Sequence, residues 1–288
     1  MRFEGKDVVL ACDVDGTLVA DYDRPSAERE QGAAYLAELC EFVESERALG
    51  EHEFYFGSAT GRSIGSHRSY EESYPPFGAA ASIMDFKVTG VGSEAYLMTA
   101  AGERRLPDWP DVSEWDREGI VAALAGRVEL ALQHDRSQLP YKISYFVDGV
   151  TDAVHDAYVA EIAERLSPVG VGVQVVFSDG KHLDILPEGV NKGTCLLHVV
   201  SALERAHAPS EVESGEAEPT AQASMYIVSA GNSMNDCDLL RVADLAILPG
   251  NAHDSLRQWA QETISPEQLY IAEGNLASSI LEGLHHIE

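Results

Sequence analysis

Short apolar runs bounded by charged residues or glycine recur along the chain. They include Val8-Val9-Leu10-Ala11-Cys12, Phe54-Tyr55-Phe56, Tyr226-Ile227-Val228, Val242 to Leu248 and Leu269 to Ala272. Runs this short, rich in β-branched and aromatic residues, predict buried strands of a parallel sheet, with Leu269 to Ala272 expected at its edge. The middle of the chain is patterned differently. Tyr141 to Val147 alternates as a half-buried strand does, and Asp152 to Leu166 has the periodicity of an amphipathic helix ending before Pro168. Val171 to Phe177 and His182 to Leu186 predict two further strands. Apolar positions at Cys195, Leu196, Leu197, Val199 and Val200 mark a helix opened by Asn191-Lys192-Gly193-Thr194. Pro249-Gly250-Asn251-Ala252 is expected to open another, and a closing helix is expected from Asn275 onward.

The polar residues that end these runs carry the candidate chemistry. Asp13 and Asp15 follow the first strand, and residues i and i+2 of an extended backbone face the same way. Two converging carboxylates suit covalent phosphoryl transfer, one attacking phosphorus and the other handling the leaving group's proton. The same pair offers oxygen ligands to a hard cation such as Mg²⁺. The strand at Phe54 ends in Ser58-Ala59-Thr60-Gly61-Arg62, a hydroxyl and a glycine before a helix start, where free N–H groups bind phosphate oxygens. Lys192 sits in the first turn of its helix, where the dipole favours acids, so an anion within its reach is expected. The strand at Tyr226 runs into Gly231-Asn232-Ser233-Met234-Asn235-Asp236, a loop rich in oxygen ligands.

Taken in order, D-x-D-G-T-L, T-G-R, K-G and G-N-S-x-N-D resemble the four motifs of the haloacid-dehalogenase-like hydrolase superfamily. The resemblance covers almost the whole chain. It implies Asp13 as nucleophile, Asp15 as general acid/base, and a Mg²⁺ site built from Asp13, the Asp15 carbonyl, Asn232 and Asp236. It also implies phosphate binding by Thr60, Gly61 and Lys192. Asn251 matches a family position that supports phosphate, although an N-cap role fits the residue equally. One position departs from the family. Asn232 stands where an aspartate is usual, and an amide oxygen can ligate Mg²⁺ but brings no charge.

About 130 residues separate Thr60 from Lys192, far more than one strand-helix unit requires. The expected fold is therefore α/β, a Rossmann-like parallel-sheet core with an inserted α/β cap domain. The expected division is core at 1–97, cap at 98–186 and core again at 187–288. Val91-Gly92-Ser93-Glu94, Lys142-Ile143-Ser144-Tyr145 and Leu183-Asp184-Ile185-Leu186-Pro187 resemble elements of sucrose-phosphate phosphatases and their relatives. In that subfamily the cap is a strand-helix-strand-strand unit over the catalytic face. The resemblance implies that Glu94, Lys142 and Asp184 face a sugar.

Composition narrows the setting. The 288 residues carry 48 acids against 20 lysines and arginines, a net charge of −28, and only five of the bases are lysines (6, 87, 142, 181 and 192). Such a surface repels nucleic acid and anionic membranes. It also repels an anionic sugar phosphate at long range, so positive charge must be focused at the site by Mg²⁺, Lys192 and Arg62. Cys12, Cys40, Cys195 and Cys237 show no metal or disulfide spacing, and no stretch has the length of a membrane span. With no basic region ahead of an apolar stretch, no signal peptide is expected, and the expected location is cytoplasmic. A flexible acidic loop is expected at 206–224, and the expected assembly is a monomer or weak dimer. The function expected is a Mg²⁺-dependent phosphatase for a phosphorylated sugar. A phosphosugar mutase of the same fold and a non-catalytic sugar-phosphate-binding module are the alternatives.

Overall fold

The computed structural model describes residues 5–21, 24–150, 154–178, 180–207 and 225–286. The acidic loop expected at 206–224 lies outside the described residues apart from 206 and 207, which close a helix.

The first part of the chain forms β1 (Val8–Cys12), α1 (Ser26–Leu49), β2 (Phe54–Ala59), α2 (Ile64–Ser73), α3 (Pro75–Ser82), β3 (Phe86–Thr89), β4 (Glu94–Thr99) and β5 (Gly102–Arg105). The middle forms α4 (Arg117–Leu124), β6 (Leu130–Leu132), β7 (Ile143–Val147), α5 (His155–Leu166), β8 (Val173–Ser178) and β9 (His182–Pro187). The last part returns with α6 (Lys192–His207), β10 (Tyr226–Ala230), α7 (Cys237–Arg241), β11 (Leu245–Leu248), α8 (Asp254–Thr263), β12 (Leu269–Ile271) and α9 (Ala277–His286).

Eight strands make the core sheet in the order β12-β11-β10-β1-β2-β3-β4-β5. Pairing is parallel from β12 through β3, and β4 and β5 add an antiparallel edge. β1 is buried on both faces, as its unbroken apolar run requires. Val9 and Ala11 pack with residues of α6, α7 and α8, while Val8, Leu10 and Cys12 pack with α1, α3 and α9. From β1 the chain runs through β2 and β3 toward one edge and later through β10, β11 and β12 toward the other. That reversal opens a crevice at the carboxyl end of β1, the usual ligand position in an open α/β sheet.

The second sheet, in the order β6-β7-β9-β8, is antiparallel, and α4 and α5 cover one of its faces. The expected strand-helix-strand-strand unit is present, with α4 and β6 in addition. The boundary expected between 97 and 98 is corrected: it falls inside β4, and the core sheet continues through Arg105. Two local expectations also change. Val242 caps the C-terminus of α7, with the strand starting at Leu245, and residues 249–253 form a turn before α8 begins at Asp254. The helix expected from Asp152 is described from His155, and residues 151–153 lie outside the described set. No helix among the described residues is long and apolar enough to cross a membrane.

Candidate active site

Asp13 follows β1 directly, its N–H held by the Ala230 carbonyl at 2.9 Å. The chain then turns at Gly16, whose φ of +78° lies in the left-handed region that a β-carbon disfavours. A Cβ there would also sit 2.2 Å from Asn232 Nδ2, so the turn and the last motif pack at closest approach. Asp13 and Asp15 both line one cavity of 590 Å³ between the core and the second sheet, as their i, i+2 spacing requires.

Lys192 finds the anions that its place in the first turn of α6 called for. Its ammonium, fully buried, donates to Asp13 Oδ1 at 2.8 Å, Asp236 Oδ1 at 2.6 Å and Asn235 Oδ1 at 3.1 Å. Asn191 Oδ1 accepts from the Thr194 N–H at 2.9 Å, capping the helix so that Lys192 points at β1. A Cβ at Gly193 would lie 2.1 Å from the Asp238 carbonyl, so the glycine lets α6 approach the last motif. Two buried carboxylates thus share one ammonium. They hold Lys192 charged, its pKa raised despite burial. Burial first, and Asp236 second, push the Asp13 carboxyl well above the usual carboxylate range against the pull of Lys192.

Arg62 is committed to Asp15. Its Nε and Nη2 donate to the two Asp15 oxygens at 2.7 and 2.6 Å, a bidentate fork, and its guanidinium lies 4.3 Å from the Tyr70 ring centre. Burial opposes the arginine's charge, but Asp15 outweighs it and the net shift is upward. The expectation that Arg62 adds free positive charge for the substrate is therefore corrected. Thr60 is buried at the cavity wall, with its Oγ1 accepting from the Arg62 N–H at 3.1 Å. The second sheet closes over this loop. Lys142 Nζ donates to the Gly61 carbonyl at 3.2 Å and to Asp184 Oδ1 at 3.1 Å, and both Lys142 and Asp184 line the cavity.

Three of the expected site residues have other partners in the fold. Asp236 is engaged on both oxygens: Oδ1 accepts from Lys192 at 2.6 Å, and Oδ2 accepts from the Asn232 and Ser233 N–H groups, each at 3.0 Å. Its carboxylate holds the lysine and shapes the loop. Asn251 donates to the Gly16 carbonyl at 2.7 Å and accepts from the Leu276 N–H at 3.1 Å, so its amide braces the Asp13–Gly16 turn instead of phosphate. It lines a separate cavity of 390 Å³, and the N-cap of α8 is His253. Glu94 is buried away from the cavity, accepting from the Thr89 hydroxyl at 3.0 Å and the Tyr96 hydroxyl at 3.3 Å. Pattern reading also missed Ser63, Ser66, Gln133, Ser178, Lys181, His182 and His253 on the cavity wall. Their contacts cross between distant segments, and only a strand phase would have hinted at Ser178 and His182.

Among the described residues no group of three or more His, Cys, Asp or Glu side chains could hold a metal ion. Asp13 and Asp15 on the cavity wall, and Asn232 beside the Asp13–Gly16 turn, offer oxygen donors only. That chemistry fits a hard cation that keeps much of its own water, as Mg²⁺ does. Asn232 Oδ1 already accepts from the Thr17 hydroxyl at 3.2 Å, which fixes the amide beside the turn.

A parallel core sheet with paired acids after its central strand, a lysine-backed second acid and an inserted second sheet define the haloacid-dehalogenase-like fold. A haloacid dehalogenase-like hydrolase from Bacillus subtilis shares it, with a TM-score of 0.57 at 15% identity over 99% of this chain and 94% of that one. A family model described as sucrose-6F-phosphate phosphohydrolase matches residues 6–288, so the chain belongs to that family. It is similar over its whole length to the sucrose-phosphatase of Synechocystis solved with sucrose and phosphate, at 29% identity, a TM-score of 0.74 and 98% of that chain. "Probable sucrose-phosphatase 3a" of Arabidopsis thaliana is 28% identical over 290 residues, and sucrose-phosphatase 1 of Nicotiana tabacum is 27% identical over 210. These matches cover 98% and 70% of this chain, but only 60% and 44% of the plant proteins.

Proposed function

We propose that the chain is a Mg²⁺-dependent phosphoric monoester hydrolase that removes phosphate from a phosphorylated sugar. The observation carrying this reading is the buried Asp13–Lys192–Asp236 cluster beside Asp15, opening into a polar cavity under the second sheet. An Asp13 oxygen bonds to phosphorus as the bond from phosphorus to the sugar oxygen breaks, and Asp15 gives its proton to that oxygen. Water then attacks the aspartyl phosphate, Asp15 takes the water's proton, and the Asp13 carboxylate returns as phosphate leaves. Lys192, held by Asp236, offers positive charge to the phosphoryl oxygens. Mg²⁺, held by Asp13, the Asp15 carbonyl and Asn232, would offset the charge that develops on those oxygens. Thr60 and the N–H groups of its loop complete the phosphate cradle, and Lys142 and Asp184 face the sugar.

Asp15→Asn tests the proton-transfer role. General acid/base groups contribute about 10²–10⁴-fold, and an activated aryl phosphate needs little protonation of its leaving group. The variant should lose far more activity on a sugar phosphate than on an aryl phosphate, as compared by kcat/KM. Equal losses on the two would assign Asp15 to structure alone.

Asn232→Asp tests the metal set. It restores a charge and keeps an oxygen for the Thr17 hydroxyl, so the Mg²⁺ concentration for half-maximal activity should fall. Titrating Mg²⁺ at saturating substrate separates this from any loss of substrate affinity to the added charge. An unchanged or higher requirement would remove Asn232 from the metal's ligands.

A further inference from the structure

The chain has five lysines, and three of them, Lys87, Lys142 and Lys192, are buried. Lys87 has no part in the catalytic cavity. Its register partner on β2 is Ser58, two residues before Thr60, and both project from the face of the core sheet that packs on α3. His67 of α2 is fully buried beside them. Its Nε2 lies 2.9 Å from Ser58 Oγ, and its Nδ1 lies 2.6 Å from Glu71 Oε1, one helical turn on. Lys87 Nζ donates to the same Glu71 oxygen at 2.6 Å and to Glu103 of β5 at 3.1 Å, and Arg68 also meets Glu103. Burial works against the Glu71 charge, but the bonds to His67 and Lys87 outweigh it and hold the carboxyl down at about 2. Burial also lowers the His67 pKa, so the imidazole is neutral. An ionised Glu71 can only accept, so Nδ1 carries the His67 proton and Nε2 accepts from the Ser58 hydroxyl. This is the order of a nucleophile triad, but Ser58 and His67 are sealed from solvent. The chain of bonds fastens α2 to β2, β3 and β5 instead.

The neighbouring face of the same helix carries Arg62. Its guanidinium lies over the Tyr70 ring, and its Nη1 is 3.5 Å from Ser66 Oγ, both residues of α2. The Phe77 ring joins the two faces, 5.1 Å from the His67 ring and 5.2 Å from the Tyr70 ring. Any shift of α2 therefore moves the surface on which Arg62 rests, and Arg62 forks both Asp15 oxygens. We propose that His67 is a positioning residue for proton transfer. By tying α2 to Ser58 it fixes Arg62, and through Arg62 it fixes the direction of the Asp15 carboxyl. The part in proton transfer rests on the phosphatase reading above; the hold on Arg62 can be measured without turnover.

The test uses His67→Phe, which keeps a ring against Phe77 but loses both hydrogen bonds. A second variant adds Ser58→Ala, removing the buried hydroxyl that the first leaves unpaired and the instability that comes with it. The first readout is solvent exchange of the Arg62 Nε–H by proton–nitrogen NMR, its signal identified by its loss in Arg62→Lys. The fork should protect this proton in the wild type, and both variants should exchange it about 10-fold faster or more. Unchanged protection overturns the proposal whatever the protein hydrolyses. The second readout is turnover of a sugar phosphate against an activated aryl phosphate. Both variants should lose about 10- to 100-fold on the sugar phosphate, carried by kcat and not by KM, and less than about 3-fold on the aryl phosphate. Equal losses on the two substrates overturn the proposal, as does a ratio that returns to the wild-type value in the double variant. Faster Nε–H exchange in a protein that hydrolyses neither substrate supports the hold on Arg62 and defeats the phosphatase reading.

Discussion

Asp13→Asn should abolish turnover while leaving the fold in place. An amide oxygen cannot serve as the nucleophile, and losing a nucleophile costs several orders of magnitude in kcat. The substitution keeps the shape of the side chain and an acceptor for Lys192, which retains Asp236 at 2.6 Å. It also removes one of two carboxylates crowded around a single ammonium, so no buried charge is stranded. Phosphate release below about one per cent of wild type, with thermal unfolding little changed, is the expected pair of results. A variant that keeps more than about one per cent of activity would take the nucleophile's role away from Asp13.

Lys192→Met should be damaging in both respects. The lysine is fully buried between two carboxylates, and removing one partner of a buried ion pair costs about 3–5 kcal/mol. For a chain of this size that lowers the melting temperature by on the order of 10 °C. The carboxyl groups of Asp13 and Asp236 would face each other without a cation, and one proton between them relieves the repulsion. Burial and Asp236 already push the Asp13 carboxyl upward, and losing the lysine removes the pull that opposes them. Activity should fall by about 10²–10³-fold or more, as when a charge-stabilising donor is lost. Unchanged melting together with retained activity would show that the buried cluster is dispensable.

What was legible in the sequence is what short-range pattern encodes. The run Val8 to Cys12 marks the central strand, since both its faces are buried, and the i, i+2 acids after it reach one cavity. Lys192 was legible for a different reason: a cation at a helix start needs a nearby anion, and two are there. The partners that were not legible depend on distances between segments far apart in the chain. Asp236 resembles a metal ligand in its motif, yet Lys192, 44 residues away, occupies one of its oxygens. Asn251 is likewise spent on Gly16, 235 residues away. Arg62 and Asp15 meet across 47 residues, and nothing local to T-G-R reveals that pairing. β6 escaped notice because it spans three residues at a sheet edge and two of them are exposed, leaving no alternation to read.

The central claim is hydrolysis of a phosphorylated sugar, and a small panel of sugar phosphates that includes sucrose 6F-phosphate tests it most directly. Purified protein with Mg²⁺ is incubated with each compound, and inorganic phosphate and free sugar are quantified together. The account predicts release of phosphate in equal amount to dephosphorylated sugar for at least one member of the panel. Phosphate that moves to another position on the sugar without appearing in solution would contradict it in favour of a mutase. Binding without any turnover would contradict it in favour of a non-catalytic module.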